Sequence, residues 1–312
     1  RSPRPRRRPG RPARSPPRAG VGVAAATITD FTDPGCPFAF SAEPFRWRLR
    51  WIYGEQIAWR TRMVGLAETV EEQLEKGFDP ARQSAAFAKL SSEHHMPIDT
   101  SERPRMAATI PACRAVVAAR LHAPEAEAAV LRRLRVRHFS GELLDLPETI
   151  AGAAVDAGID PAELGQWTES AEVADALAED MRAARHPVPA ALALDGKLAG
   201  WSGGRRYTCP SYEIVRPSDG RTIAIPGFQP ASVSEVVIAN LDPQIRRRED
   251  PETVEQVLAY FDEPLSTAEI AAVMGASIDE TRTELARVGA FDPVGLDGWW
   301  TLPVARAESL AA

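Results

Sequence analysis

The chain has 312 residues, with 37 basic against 43 acidic side chains and a formal net charge of −6. That total hides a division: residues 1–20 hold eight Arg, six Pro and no acid, so the remainder has 29 basic and 43 acidic groups and stands at −14. At 44% hydrophobic and 26% charged residues the body is expected to be globular, with room for one large domain or two. Its longest apolar runs, such as VGVAAATI, fall well short of the roughly 20 residues that span a bilayer, which excludes a membrane-spanning helix.

Only three of the basic residues are Lys (Lys76, Lys89 and Lys197), so the basic tail reflects an arginine-writing genome as much as an affinity for nucleic acid. Residues 1–23 are expected to be a disordered, dispensable tail, with an arm for anionic surfaces or an export segment as the alternatives. The three cysteines, Cys36, Cys113 and Cys209, are far apart. They make neither a disulfide framework nor a CxxC zinc pair, and the five His are scattered, so no metal site is expected and a reduced cytoplasmic setting fits.

In chain order, AAATITDF (24–31) is small and β-branched and predicts a buried strand. TDPGCP interrupts it, and from Pro37 to about Tyr53 the apolar residues Phe38, Ala42, Phe45, Leu49 and Ile52 recur at helical spacing, with Pro44 placed to kink the helix. Gln56–Gly65 alternates with period two and predicts a second strand, which completes a strand–helix–strand unit. Residues 66 to about 185 carry apolar stripes near period 3.6 throughout and predict an all-helical insertion. Ala190–Leu194 then predicts a short strand ending in a DG turn, and two further strands are expected around SDG (218–220). PASVSEVVIANL (230–241) predicts a helix opened by Pro, and a charged linker follows. Residues 250–305 predict three helices and a hairpin with GLDGWW at its turn, the order of a winged helix. From Asp250 to Ala305 there are eleven acids and two Arg, and such a surface repels a duplex whose binding depends on neutralised phosphates. A protein-interaction or dimerisation role is therefore expected for this unit, with no nucleic-acid and no membrane partner.

The chemistry is expected at Cys36, between the first strand and the first helix. There the thiol meets unpaired backbone N–H groups and the positive end of the helix dipole, which stabilise a thiolate. Comparable thiols have pKa values of roughly 3.5–7.5. Pro37 fits the first helical position, where its missing N–H costs nothing. A structural buried Cys is the plainer alternative.

D-P-x-C-P-[WF] after a strand, a helical insertion, a V-P pair before D-G, and the GFQP run at Gly227–Pro230 together resemble the DsbA-like thioredoxin-fold family. Within it they are similar to the FrnE-type branch and to the 2-hydroxychromene-2-carboxylate isomerase and kappa glutathione transferase proteins. The resemblance covers about residues 24–242 and implies an α/β thioredoxin-like fold with a large helical insertion. It implies that Cys36 is the nucleophile, that Pro37, Phe38 and Val188 contact substrate, and that Pro189 is a substrate-docking proline held in cis. One departure stands out: the position three residues after Cys36 holds Ala39 rather than a second Cys, so the motif itself has no resolving thiol. Three readings stay open. Cys36 works monothiolically and is resolved by a low-molecular-weight thiol such as glutathione or mycothiol; it activates such a thiol for isomerase or transferase chemistry; or the scaffold is degenerate and only binds a partner. No tightly bound cofactor is implied. Cys209 is a candidate distant resolving thiol, and Cys113 is expected to pack in a core.

Overall fold

The computed structural model describes residues 24–303; the expectation of a disordered tail at 1–23 lies outside the described residues. The chain opens with β1 (Ala26–Thr32), α1 (Pro37–Ser41), α2 (Glu43–Tyr53) and β2 (Ile57–Met63). The expected single kinked helix is two helices that meet at Ala42. Pro44 has no N–H to offer the carbonyl four residues back, so the chain breaks one turn before it.

Seven helices follow: α3 (Val70–Glu75), α4 (Pro80–His94), α5 (Ile110–His122), α6 (Glu127–Phe139), α7 (Pro147–Asp156), α8 (Pro161–Thr168) and α9 (Ala171–Ala184). Small residues let α5 sit at the centre of this insertion: Ala112, Cys113 and Ala115 to Ala119 are all buried, and they pack with Leu131, Leu134, Leu164, Leu177 and Met63. The chain then forms α10 (Pro189–Leu192), β3 (Ala199–Trp201), β4 (Gly204–Arg206), β5 (Ser211–Val215), β6 (Thr222–Ile225) and α11 (Ala231–Leu241). The strand expected at Ala190–Leu194 is instead the helical turn α10. Pro189 occupies its first position and Ala190, Ala191 and Leu192 continue it, all good helix formers. The short β3–β4 hairpin, turned at Ser202 and Gly203, was not expected.

The main sheet has the order β2-β1-β5-β6. β1 and β2 are parallel, Ala26 opposite Ile57 through Thr32 opposite Met63. β5 runs antiparallel to β1, with Thr27 opposite Val215 and Phe31 opposite Ser211. One β-α-β unit and one β-β-α unit therefore share a sheet, with the whole helical insertion between them. This is a thioredoxin-like α/β fold.

Residues 254–301 form α12 (Val254–Phe261), α13 (Thr267–Met274), α14 (Ile278–Val288) and the hairpin β7 (Ala290–Val294) and β8 (Asp297–Thr301). This unit packs directly on α2. Phe45, Leu49 and Ile52 of α2 are buried with Ile28 and Ile214 of the sheet, in the same core as Trp47 and Trp51. Trp47 Nε1 donates to Glu269 Oε1 at 3.0 Å, Arg48 Nη1 to the Val273 carbonyl at 2.6 Å, and Trp51 Nε1 to the Glu249 carbonyl at 2.9 Å. Because α2 is covered on two sides, its run EPFRWRLRWIY carries two buried stripes rather than one. Val257, Leu265, Ile270 and Leu285 join the same core as the sheet residues. On α14, Asp279, Glu280 and Glu284 face solvent. Among the described residues no helix is long and apolar enough to cross a membrane.

Candidate functional site

Cys36 is the residue that caps α1, with extended backbone angles and Pro37 directly after it. Its N–H donates to the Asp33 carbonyl at 3.2 Å and its carbonyl accepts from Phe40 N–H at 3.0 Å, which fixes the turn from strand to helix. The side chain is only 5% exposed and packs with Phe31, Ala39, Val64, Tyr207 and Cys209.

The sheet brings Cys209 to this place. In the β1–β5 register, Asp30 faces Tyr212 and Phe31 faces Ser211; continued two residues past the ladder, the same register sets Cys209 against Asp33. The loop is held from several sides. Tyr207 N–H donates to the Ala184 carbonyl at 2.9 Å, Thr208 Oγ1 to the Lys197 carbonyl at 3.1 Å, and Ser211 Oγ to the Thr208 carbonyl at 2.7 Å. Ser211 Oγ also accepts from the N–H of Gly227 at 3.0 Å, and Gly227 has φ +74°. A Cβ at that glycine would sit 3.3 Å from the Lys197 carbonyl, so the GFQP run holds its glycine for backbone reasons.

The expected cis proline is corrected here. The Cys209–Pro210 bond is cis, and Val188–Pro189 is not. Pro189 is exposed at the start of α10. Val188 packs against the thiol cluster, and its N–H donates to the Tyr207 hydroxyl at 3.2 Å. Of the two prolines, Pro210 leads straight into β5, whereas Pro189 leads into a helix.

Two competing contacts set the protonation of Cys36. As a thiol it can donate to the Cys209 carbonyl at 3.4 Å; as a thiolate it accepts the S–H of Cys209. A hydrogen bond to a charge is the stronger kind, so the second favours ionisation. That bond is the largest influence on Cys36; burial opposes it, the N–H groups of Ala39 and Phe38 support it, and the Asp33 charge opposes it. The result lies below the ordinary thiol value. Cys209 moves the other way, well above its ordinary value, through burial, its hydrogen bond to Cys36 and the Cys36 charge.

Asp33, fully buried beside the turn, was missed in the sequence. Its Oδ1 accepts from Gly35 N–H at 2.8 Å, and its Oδ2 accepts from Leu66 N–H at 2.8 Å, Thr109 Oγ1 at 2.9 Å and Cys113 Sγ at 3.5 Å. Burial raises its pKa and these donors only partly offset the rise. Cys113, expected to be core packing, is fully buried in α5 and bonded to Asp33; burial and that carboxylate push its thiol well above the ordinary range. Gly35 is required by close approach, since a Cβ there would meet Thr109 Cγ2 at 2.7 Å.

Asp30 was also missed. It points to the face of β1 opposite Phe31, where burial lifts its carboxyl to about 6 although Arg46 pairs with it at 3.4 Å. The same layer holds Thr32 and Glu43, both bonded to Arg135, and Arg132, which grips Glu269 of α13 at 2.6 and 2.8 Å. Phe38 is 44% exposed on α1, 6.1 Å in ring centres from Phe228, which lies 4.7 Å from His94 at the end of α4. These three rings make an accessible surface on the α1 side of the site. Tyr207, by contrast, is buried and stacked on Phe31 at 4.2 Å, and its hydroxyl donates to Glu213 Oε1 at 2.6 Å. Among the described residues no group of three or more His, Cys, Asp or Glu could hold a metal ion.

A thioredoxin family model matches residues 30–190, just over half of the chain and spanning β1, the Cys36 turn and the insertion. Curated protein sequences give no match. Among solved structures, the chain is similar to a probable DsbA oxidoreductase from Streptomyces coelicolor, at 17% identity and a TM-score of 0.52. The alignment covers 73% of this chain and 94% of that one. It is also similar to a candidate protein disulfide isomerase from Nitrosomonas europaea, at 17% identity and a TM-score of 0.50, covering 69% of this chain and 95% of that one. At such identities the likeness is one of fold, and the family match rests on sequence: the chain belongs to the thioredoxin family.

Proposed function

We propose that the protein is a DsbA-like, FrnE-type thiol–disulfide oxidoreductase that attacks disulfides through Cys36 and is turned over by a low-molecular-weight thiol. One observation carries this reading: Cys36 is the N-cap residue of α1 and its thiol lies against Cys209 in an apolar cluster, where the Cys209 side chain and the first N–H groups of the helix favour its thiolate. The thiolate attacks one sulfur of a substrate disulfide, forms a mixed disulfide at Cys36, and releases the other sulfur as a thiolate that takes a proton from solvent. With Ala39 in place of a second motif Cys, reducing equivalents come from a small thiol such as glutathione or mycothiol. Phe38, with Phe228 and His94 beside it, offers substrate an apolar landing surface next to the reactive turn. The exposed acids of α14 give no support to a nucleic-acid partner.

The test is reduction of a mixed-disulfide substrate, such as glutathionylated peptide, in the presence of glutathione. The full chain should catalyse it and Cys36→Ser should not. Equal rates for the two proteins would refute the reading.

A further inference from the structure

Two cysteines 173 residues apart in sequence are gathered at one site, and this pairing deepens the function proposed above, on which it rests. Cys36 and Cys209 are both buried in the same apolar cluster, at 5% and 8% exposure. The Cys36 thiol donates to the Cys209 backbone carbonyl at 3.4 Å, so the two residues are in direct contact. Both are free thiols. The motif position where a resolving thiol would stand holds Ala39, whose side chain is buried in that same cluster. The third cysteine is engaged elsewhere, against Asp33.

We infer that Cys209 is the resolving thiol of this site, and that the chain cycles between a Cys36–Cys209 dithiol and a Cys36–Cys209 disulfide. The substrate disulfide first exchanges with the Cys36 thiolate, leaving one substrate sulfur bonded to Cys36 and the other released. Cys209 then gives up its proton and its sulfur attacks the Cys36 sulfur. The Cys36–substrate bond breaks, its electron pair leaves with the substrate sulfur, and that sulfur takes up a proton. The substrate is reduced by two electrons and the cysteine pair is oxidised by two. Two molecules of a low-molecular-weight thiol restore the dithiol and depart joined as their own disulfide.

The order of events is set by the contacts. While Cys36 is ionised, Cys209 keeps its proton and spends it on the hydrogen bond that stabilises the nucleophile. Once Cys36 is in a mixed disulfide its charge is gone, and with it one of the influences that hold Cys209 protonated. Cys209 stays beside Cys36, because the loop from Tyr207 to Ser211 is pinned to Ala184, Lys197 and Gly227.

The experiment treats the reduced full chain and Cys209→Ser with oxidised glutathione, quenches with acid, alkylates free thiols and maps the cysteines by mass spectrometry without reduction. The wild-type chain should yield a peptide pair joined through Cys36 and Cys209 with little glutathione on Cys36. Cys209→Ser should accumulate glutathione on Cys36, with a lifetime longer by more than about tenfold. The wild-type linkage needs no variant, so it reads out even if Cys209→Ser folds poorly. A glutathione adduct on Cys36 of equal lifetime in both chains, or a wild-type linkage that involves Cys113, would overturn the resolving role while leaving Cys36 a nucleophile. No adduct and no linkage at Cys36 in either chain would overturn both.

Discussion

Cys36 and Cys113 are both sealed from water, and Asp33 acts on each, yet their thiols are pushed in opposite directions. Around Cys36 one partner, the Cys209 carbonyl, accepts, but the Cys209 side chain and the N–H groups at the start of α1 favour the thiolate and outweigh it. Around Cys113 the nearest strong partner is a carboxylate, which accepts the thiol proton and would repel a thiolate. Burial raises both, so it cannot be what separates the two thiols. The direction of the hydrogen bonds decides, because it determines which protonation state each pocket solvates.

The comparison can be broken at several places. The largest effect is expected at Cys36 itself, where Ser should abolish mixed-disulfide formation while Cys113→Ala retains it; loss of exchange in the Cys113 variant as well would erase the distinction. Next comes Asp33→Asn, which removes the charge that opposes both thiolates. Cys36 should then alkylate faster at pH 7, and chemical denaturation should show a loss of about 1–3 kcal/mol, because an amide nitrogen now meets groups that were donating. An unchanged alkylation rate would show that Asp33 acts only on Cys113. Gly35→Ala, between the two sites, should cost about 1–3 kcal/mol in the same assay as its methyl forces Thr109 aside.

The smallest effect on the thiols, though not on stability, belongs to Asp30. Its folded pKa of about 6 exceeds the ordinary 3.8, so above pH 6 the folded chain holds a buried charge that the unfolded chain solvates freely. Stability should rise as pH falls through 6 and level off near 3.8, where the unfolded chain also binds the proton. Asp30→Asn should therefore stabilise by about 1–3 kcal/mol at pH 8, with a smaller gain at pH 5, and should leave Cys36 alkylation unchanged. A gain independent of pH would mean that Asp30 is not the group that titrates.

What the sequence disclosed was local. The strand, the DPG break and Pro at the first helical position lie within a dozen residues, and together they locate Cys36 and its orientation. The second half of the site comes from register, and order along the chain is a poor guide to it. A V-P pair and a C-P pair both precede Gly227, and only the residues directly after each pair tell the two apart. Pro189 is succeeded by Ala-Ala-Leu, which continues a helix, while Pro210 is succeeded by SYEIV, which pairs with β1 and delivers Cys209 to Cys36. Buried charge was the other blind spot. Nothing in the spacing of Asp30, Asp33, Glu43, Arg132 and Arg135 announces that they are buried, or that Arg46, Thr109, Arg135, Glu269 and Glu43 respectively meet them. That the acidic C-terminal unit lies against α2 is also not written in its own residues; the signal is on α2, where Trp47 and Trp51 bond Glu269 and the Glu249 carbonyl.

The proposed chemistry rests on a Cys36 thiolate that the Cys209 side chain stabilises. The most direct measurement is the pH dependence of Cys36 alkylation in the full chain and in Cys209→Ala, which removes the donor, tracked peptide by peptide so that Cys113 is scored separately. An apparent pKa for Cys36 below the free-thiol value of about 8.5 is expected, with a rise when Cys209 is replaced. A midpoint at or above that value in the full chain, or one that stays put in the variant, would contradict it.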